Sequence, residues 1–175
     1  MANHLALNYC PQCGSALQER NAYGRVRRYC PICDRVVFRD PKVAAGVLVA
    51  QEGRVLLIQR NNNPGQGLWS IPAGFVEYDE DPAFAAAREC LEETGLEVTL
   101  TGLLDVIPSD GLSGEASFVV VYLGQVTGGN LQAGDDAERA AFFAPDALPP
   151  LAFASTRRAL DAWSRTAFER RNSLW

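Results

Sequence analysis

The stretch GFVEYDEDPAFAAARECLEETGL, residues 74–96, decides the fold of this chain. It predicts a helix that has Asp81 as its N-cap, Pro82 as its first residue and Gly95 as its stop, because these residue types are favoured at those positions. At about 100° per residue the small and apolar residues gather on one side, and Glu89, Glu92 and Glu93 gather on the other. The first group comprises Ala83, Phe84, Ala86, Ala87, Cys90 and Leu91. We therefore predict an amphipathic helix with an acidic face.

The acidic face has two interpretations. Like charges three and four residues apart on a helix repel, and only Arg88 is adjacent to offset them. Clustered carboxylates are hard oxygen ligands of the kind that Mg²⁺ prefers, together with water and substrate phosphates, which indicates a site for phosphate chemistry. A solvated charged face is the alternative, although such faces usually include lysines. The helix pattern alone leaves both open.

The whole stretch resembles the signature of the Nudix hydrolase family. That signature has a glycine, a glutamate and then Arg-Glu-apolar-any-Glu-Glu-any-Gly-apolar, and here Gly74, Glu80 and residues 88–96 (RECLEETGL) fill every fixed position. Cys90 stands where an aliphatic residue is usual, and a buried free cysteine behaves as a small hydrophobe. The resemblance covers about residues 40–150 and implies an α/β protein, a Nudix-type α/β/α sandwich with a mixed sheet.

The resemblance also implies the site. Glu89, Glu92 and Glu93 would bind one to three Mg²⁺ or Mn²⁺ ions, and the carbonyl of Gly74 would complete a shell. Arg88 and Glu80 would form a supporting ion pair. An acidic residue late in the fold returns toward the metals in this family, and the candidates here are Glu138 and then Glu115. Glu89 or Glu138 would deprotonate the attacking water.

A separate cysteine module precedes this region. Cys10, Cys13, Cys30 and Cys33 form two CxxC pairs, a spacing typical of a tetrahedral zinc site. The segment between the pairs is too short and polar to bury a core, so structural Zn²⁺ must supply much of its folding free energy. Disulfides and a thioredoxin-like redox role are the weaker alternatives. We predict a zinc ribbon in residues 1–38 and a Nudix domain with a C-terminal helix in residues 39–175.

Arginines make the ribbon locally basic. They are Arg20, Arg25, Arg27 and Arg28, with Tyr23 and Tyr29 as the nearby aromatics. A structural or dimer-forming role is favoured over nucleic-acid binding, so we expect a homodimer and no nucleic-acid partner. The only histidine, His4, precedes all cysteines and is predicted to be a surface residue. The main region therefore offers no histidine as a general base.

Further elements follow from apolar patterns. We predict a hairpin from residues 43–50 and 55–58 around Gln51-Glu52-Gly53, strands over 98–107 and 116–126, a loop over 108–115 and a helix over 154–170. The long strand 116–126 is expected to be central, Trp69 to be a core residue, and the last helix to pack as a lid or against the sheet. These elements would surround the acidic helix.

Composition limits the class of protein. The chain has 175 residues, 47% hydrophobic and 21% charged, with a formal net charge of -5. These values indicate a globular protein and argue against nucleic-acid binding over the whole surface. No run approaches the about 20 apolar residues of a membrane-spanning helix, and the N-terminus lacks the features of a signal peptide. We expect a cytoplasmic protein without a membrane partner.

The functional prediction is a Mg²⁺-dependent hydrolase. A zinc ribbon ahead of such a domain resembles the subgroup of enzymes that split NADH, ADP-ribose or FAD. We predict cleavage of the pyrophosphate bond of a nucleoside diphosphate linked to another moiety, such as ADP-ribose, FAD or a similar dinucleotide. One alternative is a housecleaning nucleoside triphosphate pyrophosphatase. The other is a nucleotide-sensing regulator whose zinc ribbon binds nucleic acid or a partner.

Overall fold

The computed structural model describes residues 7–110 and 116–172, and the chain divides into two compact units between Asp40 and Pro41. The first unit is a three-stranded antiparallel sheet. Its strands, in the order in which they pair, are β1 (Gln18–Ala22), β2 (Arg25–Cys30) and β3 (Arg35–Val37). Tyr23 and Gly24 connect β1 to β2 with φ of 51° and 74°, as a two-residue hairpin of the primed type requires.

The core of the first unit is small. Its buried residues are Cys10, Leu17 and Cys30, and Cys33 and Val37 pack against them. Such a cluster removes too little apolar surface from water to offset the conformational entropy of ordering the module. The module therefore needs a further source of folding free energy, and the cysteines in its core are the groups that can bind a metal.

The second unit contains a mixed seven-stranded sheet. Its strands are β4 (Lys42–Gln51), β5 (Arg54–Arg60), β6 (Trp69–Ser70), β7 (Ala73–Phe75), β8 (Leu96–Asp110), β9 (Ala116–Gly129) and β10 (Ala137–Phe143). The main path is β10-β5-β4-β9-β8, with β6 paired to β5 and β7 paired to β4. The β4–β9 pair is parallel, and the others are antiparallel.

Two helices cover opposite faces of this sheet. They are α1 (Pro82–Thr94) and α2 (Ala154–Asn172). Side chains alternate along β4, so Val47 and Val49 pack with α1, whereas Leu48 packs with Ala159 and Leu160 of α2. The predicted α/β class, with a mixed sheet between helical layers, is confirmed, and the last helix packs against the sheet.

Local signals at the first hairpin are also confirmed. β4 and β5 pair antiparallel, with Ala50 opposite Val55 and Gln51 opposite Arg54. Glu52 and Gly53 form the turn with φ of 51° and 74°. Trp69 is buried in the core, as predicted, and its ring meets that of Phe143 edge to face at 4.7 Å between centroids. Strand β9 lies inside the sheet, between β4 and β8.

Two features differ from the predictions. The loop expected over residues 108–115 begins later, because Pro108, Ser109 and Asp110 continue β8 opposite β9; residues 111–115 lie outside the described part. The buried stripe of α1 also follows its predicted apolar side only in part, since Ala86 and Cys90 are buried but the large apolar residues are not. Phe84 is 75% and Leu91 47% exposed, whereas Glu93 is 2% exposed. In the part of the chain that the structure describes, no helix is long and apolar enough to cross a membrane.

Candidate active site

Helix α1 is fixed at both ends by its own sequence, which sets the direction of its acidic side chains. Asp81 is extended, and its Oδ1 accepts a hydrogen bond from the Ala83 backbone N–H at 2.7 Å. Gly95 adopts the left-handed conformation with φ 69°, and its N–H donates to the Leu91 carbonyl. The predicted start and stop of the helix are therefore confirmed.

Arg88 connects the loop before α1 to the acidic residues of the helix. It donates two hydrogen bonds to Glu80, from Nε to Oε1 at 2.8 Å and from Nη2 to Oε2 at 2.9 Å. Its Nη1 donates to Glu89 at 2.7 Å and to Glu92 at 2.9 Å. The hydrogen bonds from Arg88 lower the pKa of Glu80, and those with all three carboxylates raise the pKa of Arg88. One guanidinium thus orders three of the predicted site residues.

Glu89 lies against the backbone of β7. A Cβ atom on Gly74 would be 2.1 Å from Glu89 Oε1 and 2.2 Å from its Cδ, so only glycine leaves room for the carboxylate there. Gly74 pairs with Ala45 of the central strand β4, which holds this backbone in place. Burial raises the pKa of Glu89, and the hydrogen bond from Arg88 opposes that effect. The glycine of the signature is therefore required by the position of a glutamate.

Glu93 is the buried carboxylate of the helix. Its Oε2 accepts a hydrogen bond from the Ala73 backbone N–H at 3.0 Å. Burial raises the pKa of Glu93 to about 8, and the charges of Glu89 and Asp136 act in the same direction. An ionised carboxylate in this environment is costly unless a cation compensates it.

The segment from 130 to 136 passes the C-terminal end of α1. The Gly134 N–H donates to the Glu93 carbonyl, and a Cβ on Gly134 would be 2.6 Å from the Glu92 carbonyl oxygen. This approach places two further carboxylates near the acidic face. The charge of Asp135 raises the pKa of Glu89, as that of Asp136 does for Glu93.

Two asparagines hold this segment from a distant part of the chain. Asn61 Nδ2 donates to the Asp135 carbonyl at 3.0 Å, and Asn62 Nδ2 donates to Asp136 Oδ2 at 2.6 Å. The Asn61 N–H also donates to the Asp136 carbonyl. Sequence reasoning noted the run Asp135-Asp136 only as a lead-in to Glu138. The sequence signal that could have identified Asp135 and Asp136 as site residues is their position next to a turn-rich segment.

Arg60 is a cation that sequence reasoning missed. Its Nε donates to the Pro64 carbonyl at 2.9 Å, and its Nη2 donates to Asn62 Oδ1 at 2.7 Å. Its guanidinium lies 5.1 Å from the ring centroid of Phe153. The charge of Arg60 lowers the pKa of Glu93 and so partly offsets burial. Its position at the end of β5, before a polar loop, was the only sequence signal.

The candidates outside the helix have different positions. Glu138 is exposed and lies at an irregularity of β10, between the residues opposite Arg60 and Gln59. Its role as a base stays a prediction. Glu115 and His4 lie outside the described residues.

The donor set of the helix fits hard divalent cations. It comprises Glu89 and Glu92, which share Arg88, and the buried Glu93, whose pKa lies well above its ordinary range. Mg²⁺ and Mn²⁺ take oxygen ligands and would supply the positive charge that Arg88 alone does not. The same set could hold phosphate groups through shared ions.

The four predicted zinc ligands come together in the first unit. Their Sγ atoms all lie within 4.8 Å of one another, with 4.0 Å between Cys10 and Cys33 and 3.5 Å between Cys13 and Cys30. Sulfurs bonded tetrahedrally to zinc at about 2.3 Å are about 3.8 Å apart. All the cysteines are free thiols, so the disulfide alternative is not formed.

The thiols of this cluster titrate differently. Hydrogen bonds with Ser15 lower the pKa of Cys13 to about 6, whereas a hydrogen bond with Cys13 raises the pKa of Cys33 to about 12. Backbone N–H groups of the first knuckle lower the pKa of Cys10. The donor set of four thiolates at this spacing fits Zn²⁺.

Replacing Gly74 by alanine tests the close approach to Glu89. The new methyl group would displace the carboxylate, the flexible end of a side chain, so we expect a small loss of thermal stability. A misplacement of about 1 Å in a catalytic group can lower kcat by about 100-fold, and we expect a loss of that order. Gly102→Ala is the matched control, because nothing lies within 4 Å of a Cβ there. Equal turnover in the two variants would contradict the assignment.

Comparison with known proteins places these features in a family. Residues 40–164 match the NUDIX domain. The ADP-ribose pyrophosphatase of Methanocaldococcus jannaschii is 40% identical over 118 residues, which cover 67% of this chain and 70% of that protein. The NAD-capped RNA hydrolase NudC of Chromobacterium violaceum is 29% identical over 145 residues, 82% of this chain but 52% of that protein. This chain thus spans about half the length of the second relative.

A solved structure resembles nearly the whole chain. The crystal structure of a NUDIX hydrolase from Nitrosomonas europaea has a TM-score of 0.80 and 28% identity, and the match covers 95% of this chain and 93% of that one. The sheet with its two helical layers therefore has the same fold as the solved protein.

Proposed function

Because this chain belongs to the Nudix hydrolase family, we propose that it cleaves the pyrophosphate bond of a nucleoside diphosphate linked to another moiety, with Mg²⁺ or Mn²⁺ as cofactor. The observation that carries the proposal is the acidic face of α1. Glu89 and Glu92 share one arginine there, and Glu93 is buried with a raised pKa. A cluster of carboxylates such as this one can bind divalent cations, and the cations can in turn bind the phosphate groups of a substrate.

Glu89, Glu92 and Glu93 would hold the ions. When bound, Mg²⁺ or Mn²⁺ neutralises phosphate oxygens and lowers the pKa of a nearby water. Arg88 fixes the directions of Glu89 and Glu92, and Glu80 anchors Arg88 by a bidentate pair. These contacts keep the carboxylates ordered before a ligand arrives.

In the reaction, a water oxygen would bond to one phosphorus while the bridging P–O bond breaks. The water proton would pass to a carboxylate, for which Glu89 and Glu138 are the candidates. The hydrogen bond from the Ala73 N–H positions Glu93 for this reaction. The products would be two phosphomonoesters, one of them a nucleoside monophosphate.

The names of the relatives support a choice of substrate. ADP-ribose pyrophosphatase and NAD-capped RNA hydrolase favour ADP-ribose or an NAD-like compound. A panel of ADP-ribose, NADH, FAD and nucleoside triphosphates with Mg²⁺, followed by identification of the products, tests this. We expect AMP and ribose 5-phosphate from ADP-ribose. Binding of these compounds without turnover would instead indicate the nucleotide-sensing regulator, and turnover of triphosphates alone the housecleaning enzyme.

Metal binding should depend on pH through Glu93. Its pKa of about 8 in the metal-free protein exceeds its ordinary value of 4.5, so the folded state binds the extra proton between these values. The stability of the metal-free protein should therefore fall as pH rises from about 4.5 to about 8. Metal binding must release that proton, and the gain in Tm from Mg²⁺ or Mn²⁺ should be larger at pH 8.5 than at pH 6.

Thermal unfolding with and without metal, at both pH values, measures this. Glu93→Gln removes this proton, so its gain should rise less with pH than that of the wild type. A wild-type gain that is equal at pH 6 and 8.5 would contradict the role of Glu93.

The ribbon completes the proposal as a structural zinc module in residues 1–38, ahead of a catalytic domain in residues 39–175. That the protein forms a homodimer remains a prediction, and light scattering on the zinc-loaded protein would test it. The cytoplasmic location also remains a prediction.

A further inference from the structure

One face of the first-unit sheet concentrates positive charge. Residues opposite each other in an antiparallel sheet lie on the same face, and the register places Arg20 opposite Arg27 and Ala22 opposite Arg25. Tyr29 lies on this face too, because it is two residues from Arg27 in β2. We call this side, with Phe38 just after β3, the arginine face. Cys30 and the other zinc ligands belong to the opposite side.

The arginines on the two faces of this sheet have different neighbours. On the zinc side Arg28 forms an ion pair with Glu19 at 3.9 Å, and Arg35 donates to Gln12 at 2.8 Å. On the arginine face two arginines are directly opposite each other, an arrangement that destabilises a sheet. Residues 1–40 hold six of the 16 basic residues but only three of the 21 acidic ones. An anionic ligand would relieve this local excess.

Aromatic rings lie among these arginines. The guanidinium of Arg20 is 4.5 Å from the ring centroid of Tyr29, and that of Arg27 is 5.1 Å from Phe38. Phe38 also stacks with Tyr23, at 6.0 Å and an interplanar angle of 26°. Tyr23 is 77% and Phe38 51% exposed, so the rings cost free energy in water without packing into a core.

Arg20, Tyr23, Tyr29 and Phe38 line one open concavity of about 480 Å³. Asp34 also lines it, and its carboxylate accepts a hydrogen bond from the Tyr29 hydroxyl, while Arg25 and Arg27 lie beside the concavity on the same face. Flat rings and guanidinium planes that alternate with cations are the surfaces on which unpaired bases stack and to which phosphates bind. An acidic peptide would use the charges but not the flat stacked surfaces.

We propose that the arginine face binds single-stranded nucleic acid, with bases stacked on Tyr23 and Phe38 and phosphates held by Arg20, Arg25 and Arg27. This function belongs to the first unit and does not depend on the hydrolase activity. It revises the sequence-based expectation of no nucleic-acid partner, which rested on the small number of aromatic residues near the arginines and on the negative charge of the whole chain.

Fluorescence anisotropy with the zinc-loaded full-length protein tests the proposal. The probes are labelled 12-nucleotide single strands of RNA and of DNA and a duplex of the same length, without Mg²⁺ so that no hydrolysis occurs. We expect the single strands to bind and the duplex to bind more weakly. Binding of either single strand supports the proposal, and the stronger one identifies the sugar that is preferred. Absence of single-strand binding, or equal binding of the duplex, overturns it.

Neighbouring arginines on opposite faces provide the matched control. Arg20→Gln with Arg27→Gln should weaken binding at least about tenfold at low salt and flatten its salt dependence, because phosphate contacts are lost. Arg28→Gln, which removes one charge from the zinc side, should change affinity less than about twofold, whereas Arg27→Gln alone should weaken binding by clearly more than that. Tyr23→Leu with Phe38→Leu should weaken binding at least about fivefold through lost stacking. Zinc content and Tm verify folding, and equal losses of affinity in the single variants Arg27→Gln and Arg28→Gln would overturn the assignment.

Discussion

Glu93→Gln should abolish most of the hydrolase activity while leaving the fold intact. The amide oxygen can still accept the hydrogen bond from the Ala73 N–H, and the side-chain volume is preserved. The substitution removes the negative charge of the buried Glu93 carboxylate, which a bound cation would compensate. Loss of one such metal ligand removes several kcal/mol of transition-state stabilisation, so kcat should fall about 1,000-fold or more.

The measurement is steady-state turnover of the best substrate of the panel at saturating Mg²⁺. Glu97→Gln is the matched control, because Glu97 is exposed on β8 and lies just beyond the helix. We expect its turnover to match the wild type. Near-normal turnover of Glu93→Gln at saturating Mg²⁺ would contradict the proposed metal site.

Loss of zinc should unfold the first unit. Its buried residues are few, and structural zinc sites of this kind contribute about 10 kcal/mol or more to folding. Cys13→Ser removes one of four thiolates, so the protein should purify with much less than one zinc per chain. Protease should then cleave between residues 7 and 38.

Cys90→Ala serves as the control for cysteine chemistry. Cys90 is buried in α1, in a different core from the zinc ligands, so this variant should retain one zinc per chain. Metal analysis, limited proteolysis and thermal unfolding distinguish the variants. A Cys13→Ser protein that keeps the wild-type Tm and its resistance to protease would show that zinc does not hold the module together.

Features specified by neighbouring residues could be predicted from the sequence. The caps of α1, the β4–β5 hairpin and the four-cysteine cluster depend on residue types at short spacing, and all are found in the structure. Glu92 reaches Arg88 because residues four apart share one helix face, and Glu89 is the residue next to Arg88.

Features set by packing could not be predicted. The side of α1 that is buried depends on β7 and on the segment 130–136, which cover Glu93 rather than Phe84. Asp135 and Asp136 reach the site because Asn61 and Asn62 bind them across 74 residues of sequence. Helical periodicity contains no information about such distant contacts.

The parallel β4–β9 pair affects the order in which the molecule can assemble. β4 forms its hairpin with β5 locally, whereas its other neighbour, β9, joins it in a register that sets Lys42 opposite Ser117. Closing so long a loop is entropically costly and slows folding. The chain between them includes α1, and segment 130–136 follows β9. On the ribosome, the acidic helix therefore emerges before β9 and before Asp135 and Asp136, so the carboxylates of the helix are made before the strand and the segment that enclose them.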